Sequence, residues 1–263
     1  DNRANENMAL AVLHTMLVRT HNRIASDLSD INPHWDDEKL YQETRHIVVG
    51  LVQHITYTEF LPMLLGKETV EKYELVPKSV GYWDGYDSNI DPTIPSAFVT
   101  AAFRLTISLE HSLLPSLLER WSPNHDIYDH PDDVDLWSAG ISERPMPGSM
   151  IGPTFNCLIA RTFRDIRRGD RFWYENSGWP SSFTAEQLRA IKQIRLSRLL
   201  CDASDNLETV QVYAMVLPDF QTNPRISCKS RVLPRLDLSY WRENPIQPPV
   251  QQQPPAGLDT DEE

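Results

Sequence analysis

Histidines, a guanidinium-carboxylate pair and three thiols are the groups in this chain that could do chemistry. His14 and His21 stand seven residues apart, which puts both on one face of a helix and raises the question of a metal. Neither falls in a His-Glu-x-x-His pattern, and no Cys or carboxylate cluster stands near at ligand spacing, so they read as core or helix-packing histidines. Arg3 and Glu6, three apart, read from spacing alone as an exposed charged pair at a helix start. His111 reads from its neighbours alone as a half-buried helix histidine. Of the cysteines, Cys201 and Cys228 are separated by a length that can close a loop, whereas Cys157 has no evident mate.

These residues need elements to hold them. Leu10, Leu13, Leu17, Ile24 and Leu28 recur mostly at three- and four-residue steps, predicting a long helix from Ala4 to about Ser29 that Asn32-Pro33 stops. A second helix follows Trp35, with Asp36, Asp37 and Glu38 favouring its positive end and Ile47, Leu51 and Ile55 on its apolar face. Thr58 begins a new turn that ends near Pro62. Residues 78–95 form a loop, and a helix begins near Ser96 with Phe98, Ala102, Leu105 and Leu109 on one face. Another begins at Pro153, and Thr184 with Gln187 reads as a capping box opening a helix to about Leu200. Short strands are expected near residues 209–216, and the Pro/Gln-rich, acidic end, residues 245–263, is expected to be disordered.

The formal charge of -12 disfavours nucleic acid and an anionic membrane surface as partners. No apolar run is expected to reach bilayer-spanning length, and the first residues are not a signal peptide, so the chain is expected to be soluble as given. Its non-Met start suggests a processed product or a piece of something longer.

Several phrases carry a resemblance. Asn5-Glu6-Asn7 with the run Leu13-His14-Thr15-Met16-Leu17-Val18-Arg19-Thr20-His21-Asn22-Arg23 is followed by Asn32-Pro33-His34-Trp35 and Leu40-Tyr41-Gln42-Glu43. Then come Ile55-Thr56-Tyr57-Thr58-Glu59-Phe60-Leu61-Pro62, Pro131-Asp132-Asp133-Val134-Asp135-Leu136-Trp137, Gly169-Asp170-Arg171-Phe172-Trp173-Tyr174-Glu175-Asn176 and Leu200-Cys201-Asp202. In this order they resemble the animal haem peroxidases, in their secreted arthropod branch of peroxinectin and chorion-peroxidase type. The resemblance covers residues 1–121 and 131–242. It implies a mainly α, haem peroxidase-like but incomplete domain over residues 1–244 and a haem b cofactor.

The resemblance also assigns roles. Arg3 matches the guanidinium that stabilises charge on the departing oxygen of hydrogen peroxide. Glu6 matches the carboxylate that can esterify a haem methyl, and His111 matches the axial imidazole on the iron. His111 stands about four residues further from Phe103-Arg104 than the family pattern has it. On a helix that insertion keeps roughly the same face but shifts the ligand by about 6 Å. The family Asn that orients the axial imidazole has no match, and Asp133 reads as part of a solvated acidic turn.

In the resemblance a long family segment is replaced by the short join 122–130, which leaves Cys157 without the mate its family counterpart has there, while the counterparts of Cys201 and Cys228 pair with each other. The family's distal His and calcium-binding residues precede the position of Asp1, so no calcium site is expected in this chain. Two functions are therefore implied. One is a secreted peroxidase oxidising small electron donors with hydrogen peroxide, linked to oxidative stress and impaired by these losses. The other is a non-catalytic secreted binding or adhesion module; a truncated product without a settled role is a third reading.

Overall fold

The computed structural model describes residues 8–100, 102 and 143–244. Helix α1 (Met8–Ile31) packs on α2 (Asp37–Ile55), and the turn between them is built by Asn32. Its buried side chain donates to the Trp241 carbonyl at 2.9 Å and accepts from the Glu243 amide at 2.8 Å. The Asn-Pro stop thus ties the N-terminal hairpin to the end of the described chain. Asp36 caps α2 by accepting from the Lys39 amide at 2.8 Å.

Helix α2 does not end at the new turn expected around Thr58. A π-helical turn, Thr56–Phe60, leads straight into α3 (Leu61–Leu65). Pro62 lies inside this rod, and the widened turn is the reason it is tolerated. A proline ring in a regular helix collides with the carbonyl four residues back and supplies no N–H to it. The Leu61 amide reaches back to the Thr56 carbonyl instead, opening the ladder just before the proline. Gly66 (φ 81°) ends the rod, and a Cβ there would lie 2.8 Å from the Gly148 carbonyl oxygen. Contrary to the expectation that no apolar run reaches spanning length, Asp37–Leu65, at 29 residues, is long and apolar enough by length and composition. Its apolar residues Ile47, Leu51, Ile55, Leu61 and Leu64 are nevertheless buried in the protein core.

After α4 (Lys67–Lys72) and a loop, α5 (Ser96–Thr100) lays Phe98 against Phe163 of α6 (Pro153–Gly169). The expected capping box is present: Thr184 accepts from the Gln187 amide, and Gln187 accepts from the Thr184 amide. The single helix expected to Leu200 is, however, two, α7 (Ala185–Ile191) and α8 (Leu196–Ala203). Arg195 is extended between them, and the Leu196 amide is capped by Glu59 of the π turn at 2.8 Å. A tertiary partner thus replaces the intrahelical bond that would have continued the helix. Strands are shorter than expected, an antiparallel pair of β1 (Thr209–Gln211) and β2 (Arg225–Ser227). A 3₁₀ turn, Leu238–Trp241, closes the described chain.

One core runs from Ile24 and Leu28 through Leu51, Phe155 and Ile159 to Trp241. Cys201 and Cys228 are bonded across a separation of 27 residues, and Cys157 is free and exposed. The bridge is expected to contribute about 3 to 4 kcal/mol. Thiol titration of the denatured chain should find one free thiol before reduction and three after; three before reduction would remove the bridge from the account.

Candidate functional site

Arg3, Glu6 and His111 lie outside the described residues, as do Asp133, the join 122–130 and the tail from Pro245. The arrangement of the expected site residues is therefore outside what the structure describes. The structure does place the elements that lead to them. The first half of α1 presents Met8, Val12, Leu13 and Val18 outward, with Leu13 46% exposed, so the expected buried face of this helix holds only from Thr20 onward. His14 is exposed and bonds its own helix at the Leu10 carbonyl, so it is not a core residue. His21 is half-buried against Tyr41, with ring centroids 5.5 Å apart.

The most strongly organised chemistry in the described part is a buried charge node that sequence reasoning missed. Glu175 (0% exposed) accepts from Arg167 at 2.9 Å on one oxygen and pairs with Lys192 at 2.6 Å on the other. The Trp173 indole and the Lys78 amide complete its shell. Arg167 (1% exposed) also donates to the carbonyls of Glu74 and Val76 and lies over the rings of Trp83 (4.3 Å) and Trp173 (5.2 Å). Glu74 holds a φ of 56°, the one described non-glycine residue with positive φ, and that aims its carbonyl at the guanidinium. Lys192 spends its remaining donors on the carbonyls of Lys78 and Gly81.

Beside the node, the π turn and the phrase at 169–176 interlock. Gln53 donates to Asp170 at 3.1 Å and accepts from the Tyr174 amide at 3.0 Å, while the Tyr57 hydroxyl donates to the Phe163 carbonyl at 2.7 Å. His54 meets the Tyr174 hydroxyl at 2.9 Å, and burial, reinforced by Lys192, pushes its pKa down to about 4. Burial raises the Glu59 carboxyl, whose second oxygen has no hydrogen-bond partner among the described residues, against the opposing pull of the Leu196 amide and Arg195. A second node sits at the other end. Asp202 pairs with Arg23 of α1 at 2.8 Å and with Arg198 at 2.7 Å, and Arg198 donates to the Cys228 carbonyl behind the disulfide.

In both nodes the carboxylate is held by protein partners, while the Nε of Arg23, Arg167 and Arg198 is buried without one among the described residues, so the nodes position elements and do not present a reacting group. Among the described residues, no group of three or more His, Cys, Asp or Glu is placed to hold a metal ion.

The profile of the family described as animal haem peroxidase matches residues 1–126 and 122–215. The chain belongs to the animal haem peroxidase family. A peroxidasin homologue of Caenorhabditis elegans is 29% identical over 92% of this chain and 26% of its own length. The chorion peroxidase of Drosophila melanogaster is 28% identical over 92% of the chain and 43% of its own length. A mouse peroxidasin homologue is 30% identical over the same share of the chain and 23% of its own. Relatives thus come from nematodes and mammals as well as insects, and the chain spans less than half the length of each of these. Peroxidase A from Dictyostelium discoideum shares the fold, with a TM-score of 0.54 at 22% identity over 78% of this chain and 57% of that one. The mainly α peroxidase fold expected from the sequence is therefore the fold observed.

A haem of this family asks for an axial imidazole, and each described histidine except exposed His34 is engaged by a ring or a hydrogen bond. The residues that the resemblance assigns to the group, Glu6 and His111 with Arg3, lie outside the described residues.

Removing one charge of the main node should be costly. Glu175→Gln is expected to lower stability by about 3 to 5 kcal/mol in urea melts, since it leaves Arg167 and Lys192 buried without their counter-ion. His54 gives a pH dependence of known sign. Its folded pKa lies below the ordinary value of 6.5, so its contribution is complete above about pH 6.5 and is lost as pH falls toward 4. Comparing His54→Gln with the parent by thermal melts, the parent should lose more stability over that window, on the order of 3 kcal/mol. Parallel curves would refute the buried neutral imidazole.

Proposed function

We propose that this chain is part of a secreted haem-dependent peroxidase that reduces hydrogen peroxide and oxidises small electron donors, with a place in the response to oxidative stress. The observation that carries the reading is the family match over residues 1–126, which takes in Arg3, Glu6 and His111 together. When bound, haem would supply the redox chemistry that protein side chains lack. His111 would hold the iron from one face, and Glu6 would tether the macrocycle through an ester. Arg3 would place positive charge where the departing peroxide oxygen becomes negative, an effect that is large only where water is excluded. The Cys201–Cys228 bridge supports an oxidising compartment outside the cytosol.

A second reading, a non-catalytic secreted peroxidase-like module for binding or adhesion, draws support from the alignment lengths. The match to the nematode relative runs over 351 positions, more than the 263 residues of this chain, so that relative carries segments this chain lacks. We place one such loss at the join 122–130, next to the shifted His111.

Haem reconstitution followed by absorption spectroscopy separates the readings. A Soret band is expected that His111→Ala abolishes and His14→Ala or His21→Ala leaves in place. Arg3→Ala should keep the band and slow any peroxide turnover, since the guanidinium acts on the transition state. Absence of a band in the parent chain favours the binding module.

A further inference from the structure

A half-open cleft of about 330 Å³ lies between α2, the bend at Pro180–Phe183 and the end of the 3₁₀ turn, away from both charge nodes. Glu43 and His46 line it from one face of α2, three residues apart. Glu43 is half-buried, and no hydrogen bond or close ion pair engages its carboxylate among the described residues. Burial raises its pKa, Lys39 opposes this and Glu243 adds to it. His46 stacks on Phe183 with centroids 3.9 Å apart, and burial holds its imidazole toward the neutral form, with neither nitrogen hydrogen-bonded among the described residues.

Their polar atoms are open to solvent and not among the buried groups left without a partner, so water satisfies them in the free protein. Here their open valences face the same space. The other charged groups at the cleft nearly cancel: Glu243 is engaged by Lys39 and by the Trp35 indole, and Arg242 stands at the rim. A cationic ligand would meet Arg242, with Glu243 already paired to Lys39, and an anionic one would meet Glu43 and Glu243. What remains is a neutral ligand rich in hydroxyls. Adjacent hydroxyls of a sugar ring can donate to the two oxygens of one carboxylate, and a neutral imidazole both donates and accepts. Tyr240, 44% exposed at the rim, offers an aromatic face for the C–H side of such a ring.

We propose that this cleft is a binding subsite for a small neutral saccharide, with Glu43 and His46 as its polar contacts and Tyr240 as its stacking platform. None of the described residues lining the cleft is one that the resemblance assigns to haem. The test uses the full chain, with maltotriose and chitotriose as neutral probes, sialyllactose as an anionic one and spermidine as a cationic one. Tryptophan fluorescence reads occupancy, because Trp35 and Trp241 line the cleft, and calorimetry gives stoichiometry. Saturable one-to-one binding of a neutral probe is expected, weakened about tenfold or more in Glu43→Ala. Tyr240→Ala, a change at the surface that leaves the core intact, should weaken it as well. Binding of the charged probes alone, equal affinity in both variants, or no binding of either neutral probe at tens of millimolar would each overturn the assignment.

Discussion

The carboxylate of Glu175 is the charge that the rest of this fold is arranged to neutralise. Fully withdrawn from water, it carries a desolvation cost of several kcal/mol, which only close, well-directed partners can offset. Those partners come from far apart in the chain: Arg167 from the end of α6, Lys192 from the end of α7, and the Lys78 amide from the loop after α4. Only Arg167 comes from a long regular element, the 17-residue α6; α7 has 7 residues and Lys78 lies in a loop. Their positions follow from the need to reach one buried anion, and the strained backbone at Glu74 shows the same demand. The aromatic rings around Arg167 add cation–π attraction while keeping water out, which strengthens each polar contact inside.

From this node, order passes along one rod. The π turn at Thr56–Phe60 and α3 continue α2, so a single helical axis carries Gln53 to the 169–176 phrase, Tyr57 to α6 and Glu59 to the start of α8. A regular helix would rotate the residues after Ile55 differently and would not admit Pro62. The widened turn therefore does two jobs, accommodating the proline and aiming Tyr57 and Glu59. At the far end, Asp202 joins α1 to α8, and Arg198 joins α8 to the disulfide loop, so the C-terminal third is fixed by charge as well as by covalent bond.

The parts of the fold that periodicity governs were legible in the residues. The apolar steps of α2 and α6 and the Thr184 cap appear where type and spacing put them, Asp36 stands at the acidic start expected of α2, and the Cys201–Cys228 pair is the one the resemblance implied. What was not legible depends on partners distant in sequence. The break before Leu196 exists because Glu59 caps its amide, and nothing local to Gln193 or Ile194 announces that. Arg167, Glu175 and Lys192 read as ordinary charges, because burial of a charge is a property of the assembled core and not of its neighbours in the chain. The outward apolar flank of early α1 misled in the opposite sense: helical spacing says that a face is apolar, and does not say what covers it.

This division bears on what family likeness means here. The phrases that carry the likeness within the described residues, at 32–35, 55–62, 169–176 and 200–202, supply Asn32, the π turn, Glu175 and Asp202, all of them fastening groups. Selection on folding alone is enough to retain such residues, because losing a buried counter-ion costs several kcal/mol of a stability that is itself small. A chain can therefore keep the scaffold of a peroxidase for purely structural reasons, and likeness in these phrases reports the fold. Likeness at Arg3, Glu6 and His111 is of another kind. The three lie outside the described residues, and the resemblance gives them roles on a bound group and not in fastening, so a stable scaffold says nothing for or against them.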